Sequence, residues 1–452
     1  MGRASVRRGP SPVQALVASF ALVIAIGGWC LHQPWAAVPG KQLSWVEAVF
    51  TATSATCVTG LIVRLPEDHT VAGQIVIISL IQIGGLGILT FGMFFLLLAG
   101  QRLSLFGREL ILSSLSGEPW EDFWPLLRTV IGATVLVEGT GALLMAVGWW
   151  GEKGWLAIPW GAFHAVSAFC NAGFGLHAQN LIPWRGNPLI AIPVGLLIIC
   201  GGLGFFPITE LWRRWRSGGR APMTLHSRTV FLVTAWLLVV GWGGFALLEW
   251  GTTLAGLAWH EKVLGIWFQG ITPRTAGFAT LDYGAMNPAT LVFTMGLMFI
   301  GASPGSTGGG VKTTTIGVLV AVTIARIRSR RQVQSLKRGI SAVSVGDALV
   351  VVLLASGVVL GGMLLVPLIE HGFVGGPQAR SLFLAQAFDV VSAFGTVGLS
   401  TGITPSLSPP SWVVLTAIMF VGRVGPLTLG LALAGRRPRA EPTFVEEPIM
   451  VG

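Results

Sequence analysis

Four octets carry the residue types that could do chemistry here: SATCVTGL (Ser54 to Leu61), SAFCNAGF (Ser167 to Phe174), ITPRTAGF (Ile271 to Phe278) and SAFGTVGL (Ser392 to Leu399). The seventh residue is always glycine, Gly60, Gly173, Gly277 and Gly398, at spacings of 113, 104 and 121 residues. Glycine takes positive φ without a Cβ penalty, which lets consecutive carbonyls face one way and replace the hydration shell of a cation. No octet holds a carboxylate. The ligands would be carbonyl oxygens, which suit a weakly hydrated monovalent ion, potassium above all, over magnesium or calcium. Asn171, Arg274 and Thr396 differ at what read as like positions, so a ring of these loops is only quasi-symmetric and selects less sharply than four identical ones.

A second stretch, GASPGSTGGGVKTTT (Gly301 to Thr315), lies between the apolar runs LVFTMGLMFI and IGVLVAV. It is not a phosphate-binding loop, because Val311 separates the last glycine from Lys312 and both flanks read as membrane helix. A remote alternative is an intramembrane serine protease, since Gly301-Ala302-Ser303 resembles a nucleophile turn. That chemistry needs a histidine base within reach, whereas His164 falls in a different, outer half-helix and Pro304 follows the serine. Glycines at 301, 305 and 308 to 310 instead make helix costly at about 1 kcal/mol each. The stretch therefore reads as a flexible polar break at membrane depth, with Ser303, Ser306, Thr307 and Thr313 able to satisfy freed backbone groups.

These loops need a scaffold. Of 452 residues, 52% are hydrophobic and 11% charged, and the mean hydropathy is +0.73, so the chain reads as an all-α polytopic membrane protein. Eight spans are predicted, starting near residues 13, 73, 125, 186, 229, 288, 344 and 411. The first follows Arg3, Arg7 and Arg8 without a convincing cleavage site and is read as uncleaved. Of 29 lysines and arginines, seven (Lys41, Arg64, Lys153, Arg185, Lys262, Arg274, Arg380) fall outside and Lys312 and Arg423 within the membrane, leaving twenty inside. That bias places both termini in the cytoplasm and explains the net charge of +10 without nucleic acid. Cys30, Cys57, Cys170 and Cys200 show neither zinc spacing nor a disulfide framework.

Ten residues before each octet glycine stands an aromatic, Phe50, Phe163, Trp267 or Phe388, in an apolar segment of half-helix length. The order helix, half-helix, glycine loop, helix thus recurs four times, which predicts a pseudo-fourfold ring around one ion pore. Non-helical backbone at membrane depth is tolerated where it lines a water-filled cavity. All four units run in the same direction, which disfavours a secondary transporter built from inverted repeats. The boundaries are a cytoplasmic amino terminus (1–12), pore repeats at 13–100, 125–215, 216–326 and 344–435, cytoplasmic linkers at 101–124 and 327–343, and a cytoplasmic tail (436–452).

The octets, the PRTAGF run, the GASPGSTGGGVKTTT stretch and the FVGRVGPLTL run together resemble the Trk/Ktr/HKT superfamily of potassium transporters, and most closely the KtrB-type membrane subunit of bacteria. The resemblance spans about residue 13 to 435. It implies a homodimer with one pore per protomer and potassium as the transported ion, with sodium as a candidate activator; the alternative is a sodium or mixed monovalent cation channel or transporter. The filter is assigned to Cys57, Val58, Thr59 and Gly60; Cys170, Asn171, Ala172 and Gly173; Arg274, Thr275, Ala276 and Gly277; and Gly395, Thr396, Val397 and Gly398, with Cys57 where a threonine is common. The gate is assigned to 302–312: Ala302, Ser303, Pro304, Gly305, Ser306, Thr307, Gly308, Gly309, Gly310 and Lys312. Arg423, the only charge in the last span, is expected to face the pore just inside the filter. A KtrA-like cytoplasmic RCK ring, binding ATP, ADP or a dinucleotide on its own chain, is the implied regulatory partner; the Arg-rich run ARIRSRRQVQSLKR and the tail GRRPRA would meet it or lipid headgroups. Glu138 reads as a packing or functional intramembrane acid, and Asp389 as either a loop holder or a solvated rim acid.

Overall fold

The computed structural model describes residues 12–98, 123–330, 332–372 and 376–434. Nearly all of the expected amino terminus and the 101–124 linker, and the whole 436–452 tail, lie outside the described residues. The chain is helical: α1 (Pro12–His32), α2 (Trp45–Thr56), α3 (Val71–Leu98), α4 (Phe123–Lys153), α5 (Ala157–Phe169), α6 (Pro188–Leu203), α7 (Phe205–Arg216), α8 (Leu225–Glu249), α9 (Trp259–Ile271), α10 (Pro288–Phe299), α11 (Thr313–Ile327), α12 (Ala342–His371), α13 (Pro377–Gly395), α14 (Pro409–Val424) and α15 (Pro426–Ala434). One departure from an all-α chain is a ribbon of two-residue strands, β1 (Gln334–Ser335) and β2 (Arg338–Gly339), in the 327–343 segment. Leu336 and Lys337 between them have φ of 49° and 65°, the left-handed pair of a tight hairpin turn.

Local sequence sets the helix starts. Ser44 and Glu47 form a reciprocal capping box on α2, with Ser44 N–H donating to Glu47 Oε2 at 2.8 Å. α6, α10 and α14 each begin with a proline behind Asn187, Asn287 or Ser408. Two of these starts are clamped from neighbouring helices. Glu249, at the end of α8, accepts from Asn287 N–H at 3.0 Å and from the Thr290 hydroxyl. Glu370, near the end of α12, accepts from Ser408 N–H at 2.8 Å, Ser408 Oγ at 2.6 Å and Ser411 Oγ. A carboxylate there meets both the orphan amides and the positive end of the helix dipole. Glu370→Ala should therefore lower stability by about 2 kcal/mol, read as a fall in the thermal midpoint of the detergent-solubilised protein; an unchanged midpoint would refute the clamp.

By length and composition, the stretch 130–169, which runs α4 through a short turn into α5, and the helices at 225–249 and 342–371 could each cross a membrane, and the pair α6 and α7, bent by 100°, makes a fourth among the described residues. The helices at 288–299, 313–327 and 409–424 are shorter because breaks divide them. Sequence reading expected a break only between α10 and α11, and took 205–215 as the end of a straight span. The chain also turns at Gly204 (φ 89°) and at Gly425 (φ 92°), each helped by a nearby proline, Pro207 or Pro426, that donates no backbone hydrogen bond.

Candidate ion pathway

Each of the half-helices α2, α5, α9 and α13 ends in one octet, and all four octets share one backbone shape. The fifth residue is left-handed, with φ of 50° at Val58, 59° at Asn171, 63° at Thr275 and 50° at Thr396; so is the seventh, with φ of 95°, 71°, 74° and 92° at the glycines. Val58, Thr275 and Thr396 are β-branched, for which this region costs of order 1–3 kcal/mol. Hydrogen bonds hold it. The sixth N–H reaches back to the first carbonyl in three loops: Thr59 to Ser54 at 2.7 Å, Ala172 to Ser167 at 2.8 Å and Val397 to Ser392 at 2.9 Å. Ser54 and Ser167 donate to the eighth carbonyls, of Leu61 at 2.7 Å and Phe174 at 2.8 Å, while Ser392 Oγ accepts from Gly398 N–H at 3.0 Å. The third octet opens with Ile271, and Thr272 takes over by donating to the Phe278 carbonyl. Sequence reasoning missed these staples, although a serine heads three of the four octets.

The loops close on one another. A Cβ on Gly173 would lie 2.7 Å from both the Ala276 oxygen and the Gly277 Cα; one on Gly277 would meet the Val397 oxygen and Gly398; one on Gly398, the Thr59 oxygen and Gly60; one on Gly60, the Ala172 oxygen and Gly173. Each sixth carbonyl therefore sits at the seam with its neighbour's glycine, and the contacts run once around a ring. The fourth, fifth and sixth carbonyls of the four loops, twelve in all from three in each, accept no hydrogen bond from another described residue. Their residues are nevertheless buried. Among the described residues no group of three His, Cys, Asp or Glu side chains could hold a metal, and the oxygens on offer at the ring are backbone carbonyls, hydroxyls and the Asn171 amide.

The equivalence expected of Asn171, Arg274 and Thr396 is corrected. Val58, Asn171, Thr275 and Thr396 share a position, and Arg274 belongs one residue earlier with Cys57, Cys170 and Gly395. The Arg274 side chain turns outward into the wall, its Nη2 3.3 Å from Thr234 Oγ1 on α8. Cys170 likewise points outward, its Sγ 3.6 Å from Gln82 Oε1 on α3. The fifth side chains sit together. With its nitrogen toward the carbonyls of Ala168 (3.1 Å) and Ile198 (3.2 Å), the Asn171 amide accepts from the Thr275 hydroxyl at 3.2 Å. Asp389 is fully buried and accepts from the Thr404 hydroxyl, which removes the solvated rim reading. Glu138 is buried on α4 with Gln82 as its neighbour.

The 300–312 segment is pressed against the fifth side chains. Gly309 N–H donates to Thr396 Oγ1 at 3.0 Å, and a Cβ on Gly308 would overlap Thr275 Oγ1. The segment is tied down, contrary to the flexible break expected. Gly301 N–H pairs with the Val311 carbonyl at 2.8 Å, joining its two ends; Ser303 and Thr307 N–H donate to Gly202 and Gly201 at 3.1 and 3.2 Å; Gly310 N–H donates to Gly422 at 3.3 Å. Thr307 Oγ1 caps the freed Phe169 carbonyl at 3.1 Å, and Ser306 Oγ the Ser303 carbonyl at 2.6 Å. Lys312 Nζ donates to the Gly308 carbonyl at 2.7 Å. Arg423, 2% exposed, donates from Nη1 to the Thr307 carbonyl and from Nη2 to the Gly84 carbonyl on α3.

These partners form a second recurrent element that sequence reading overlooked. GGLG (Gly84 to Gly87), GGLG (Gly201 to Gly204), GASP (Gly301 to Pro304) and GRVG (Gly422 to Gly425) begin 24, 28, 24 and 24 residues after the octet glycines. Gly84, Gly201 and Gly422 let their helices touch the half-helix ends, since a Cβ there would overlap the carbonyls of Thr56, Phe169 and Phe394. Arg423 stands where the other three have Gly85, Gly202 and Ala302.

Residues 14–441 match the family described as TrkH, cation transport protein. The potassium/sodium uptake protein NtpJ of Enterococcus hirae is 36% identical over 99% of this chain and 98% of its own. The Ktr system potassium uptake protein B of Bacillus subtilis is 35% identical over 94% and 93%, and that of Vibrio alginolyticus 34% over 99% and 95%. The crystal structure of the potassium transporter TrkH from Vibrio parahaemolyticus superposes with a TM-score of 0.70 at 19% identity, over 96% of this chain and 87% of that one, a likeness of fold. Sequence and fold agree: this chain belongs to the TrkH family of cation transport proteins, in its Trk/Ktr group.

Proposed function

We infer that the protein takes up potassium across the cell membrane, through a path lined by the four octets. The observation that carries this reading is the closed ring, whose twelve buried carbonyls lack donors among the described residues. A buried carbonyl without a partner is costly, and a dehydrated monovalent cation satisfies several at once. The half-helices support it by ending at the ring, where the negative end of each dipole attracts a cation. In this reading eight membrane spans form four quasi-equivalent units around one path, both termini are cytoplasmic, and two protomers pair. The names of the relatives, potassium uptake in each and sodium in one, support the ion and favour a second reading in which sodium also passes. The non-identical sequences of the four octets, with Ile271 heading the third where the others have serine, favour relaxed selectivity too. Energy and control would come from ion gradients and from a nucleotide-binding cytoplasmic ring on another chain. Reconstituted protein should accumulate rubidium tracer in liposomes, with potassium competing far better than sodium. Equal competition would select the mixed-cation reading, and no uptake would refute transport by this chain alone.

The 302–312 loop is read as the device that closes this path, because it lies against the ring and holds the cationic groups of Arg423 and Lys312 on its own carbonyls. Deleting 303–309 removes both of those carbonyls, Thr307 and Gly308, and should raise uptake severalfold while weakening any control by a partner. Lower uptake from well-folded protein would count against a closing role.

A further inference from the structure

The bend at Gly204 leaves α7 with three distinct faces. Phe206, Glu210 and Arg214, at i, i+4 and i+8, turn inward. The Phe206 ring packs edge-on against His226 at 5.9 Å, Glu210 accepts from the Thr224 N–H at 3.1 Å, and Arg214 Nη1 donates to the Ala221 carbonyl at 2.9 Å. A second face is apolar: Ile208, Leu211, Trp212 and Trp215, the last three 47%, 55% and 71% exposed, with the indole rings 5.1 Å apart. The third is basic, with Arg213 and Arg216 exposed at i+4 and i+7 from Thr209, and Arg220 just beyond the helix end.

A 12-residue helix with an apolar stripe beside a basic one, at 100° to the span before it, has the geometry of a helix lying in a membrane interface. The chain enters it from α6, which exposes Leu189, Ile192 and Leu196 along one flank, so the preceding helix also presents an apolar face outward. Tryptophan rings favour headgroup depth, and guanidinium forks match phosphate oxygens. The same hinge touches the loop. Phe205 N–H donates to the Gly305 carbonyl at 3.2 Å, and the Pro304 carbonyl lies 2.8 Å from where a Cβ on Gly204 would stand.

We propose that α7 is an interfacial helix that binds anionic phospholipid at the membrane surface on the loop's side, and that this binding sets the position of the 300–312 loop through Gly204 and Phe205. The coupling rests on the reading of that loop as the closing device; the binding does not. Each arginine near an anionic surface strengthens partitioning about fivefold, so lipid charge is a graded input to the hinge.

The test places nitroxide labels at Leu211→Cys and Trp215→Cys and reconstitutes each protein in phosphatidylcholine vesicles with and without phosphatidylglycerol. Collisions with oxygen should exceed those with a water-soluble nickel chelate at both sites, more so with phosphatidylglycerol, and Arg216→Gln with Arg220→Gln should remove most of the lipid dependence, leaving the share of Arg213. Rubidium uptake by the unlabelled protein should rise on the order of threefold with phosphatidylglycerol, and clearly less in the arginine variant. Labels dominated by nickel collisions would overturn the interfacial helix and leave this surface to a cytoplasmic protein. Lipid-embedded labels with uptake indifferent to lipid charge would overturn the coupling. Uptake absent in every vesicle would strike the transport reading instead, and the label depths would still decide the binding.

Discussion

Gly398→Ser should let sodium compete with potassium while the protein still folds. The residue has φ of 92°, and a Cβ there overlaps the Thr59 carbonyl oxygen and lies 2.8 Å from the Gly60 Cα. Backbone flanks the site, so relief must come from moving a ring carbonyl rather than from a side chain swinging aside. Strain of about 1–3 kcal/mol is added as well, small enough to leave most protein folded. In the proposed filter a displaced carbonyl relaxes the fit on which discrimination would rest, and the expected fall of at least about tenfold in potassium preference corresponds to ~1.4 kcal/mol. The control is Gly402→Ser, four residues further on, where φ is 89° and nothing lies within 4 Å of an added Cβ. It carries similar backbone strain without touching the ring, so potassium preference should persist. Competition assays on both variants decide the matter: unchanged preference in Gly398→Ser, or an equal loss in Gly402→Ser, removes the ring from selectivity.

The ring was legible in the sequence to the extent that it is written in glycines. Gly60, Gly173, Gly277 and Gly398 stand out because few residues tolerate their conformation, and their regular distance behind an aromatic marks the half-helices. The left-handed fifth position was invisible for the opposite reason. Val58, Thr275 and Thr396 are residues that local preference sends elsewhere; hydrogen bonds inside the octet, to Ser54 and Ser392 in two of them, and packing against the neighbouring loops hold them there. The same loss of local information explains the 300–312 loop. Its glycines signal that it is not helix, but the groups that order it, Gly201, Gly202, Gly422 and Thr396, come from other units. The breaks at Gly204 and Gly425 were hidden by hydropathy, which continues across both, although GLGFFP and GRVGP carry the glycine and proline that turn the chain.

Arg423→Gln should raise the maximal rate of potassium uptake about tenfold or more and leave ion preference unchanged. The side chain is buried, has no ion-pair partner among the described residues, and rests on two carbonyls, Thr307 in the loop and Gly84 on α3. If the loop is the closing device proposed above, two effects keep the path closed in this arrangement. The fixed charge repels a monovalent ion at about 6 Å by roughly 3 kcal/mol at an effective dielectric near 20, and the paired hydrogen bonds hold the loop to two other helices. Glutamine is neutral and shorter, so it loses the repulsion and cannot reach both carbonyls. Lysine keeps the charge but replaces the guanidinium fork by a single point. Arg423→Lys should therefore loosen the loop while retaining most of the barrier, with a rise in rate of less than about threefold. Ion preference should survive both changes, because the octet carbonyls are made by other residues. A helix-packing role for Arg423 gives another pattern: the two variants would lose thermal stability alike and transport at the original rate per folded molecule. Initial rates of rubidium uptake, normalised to folded protein and measured beside the thermal midpoint, separate the two.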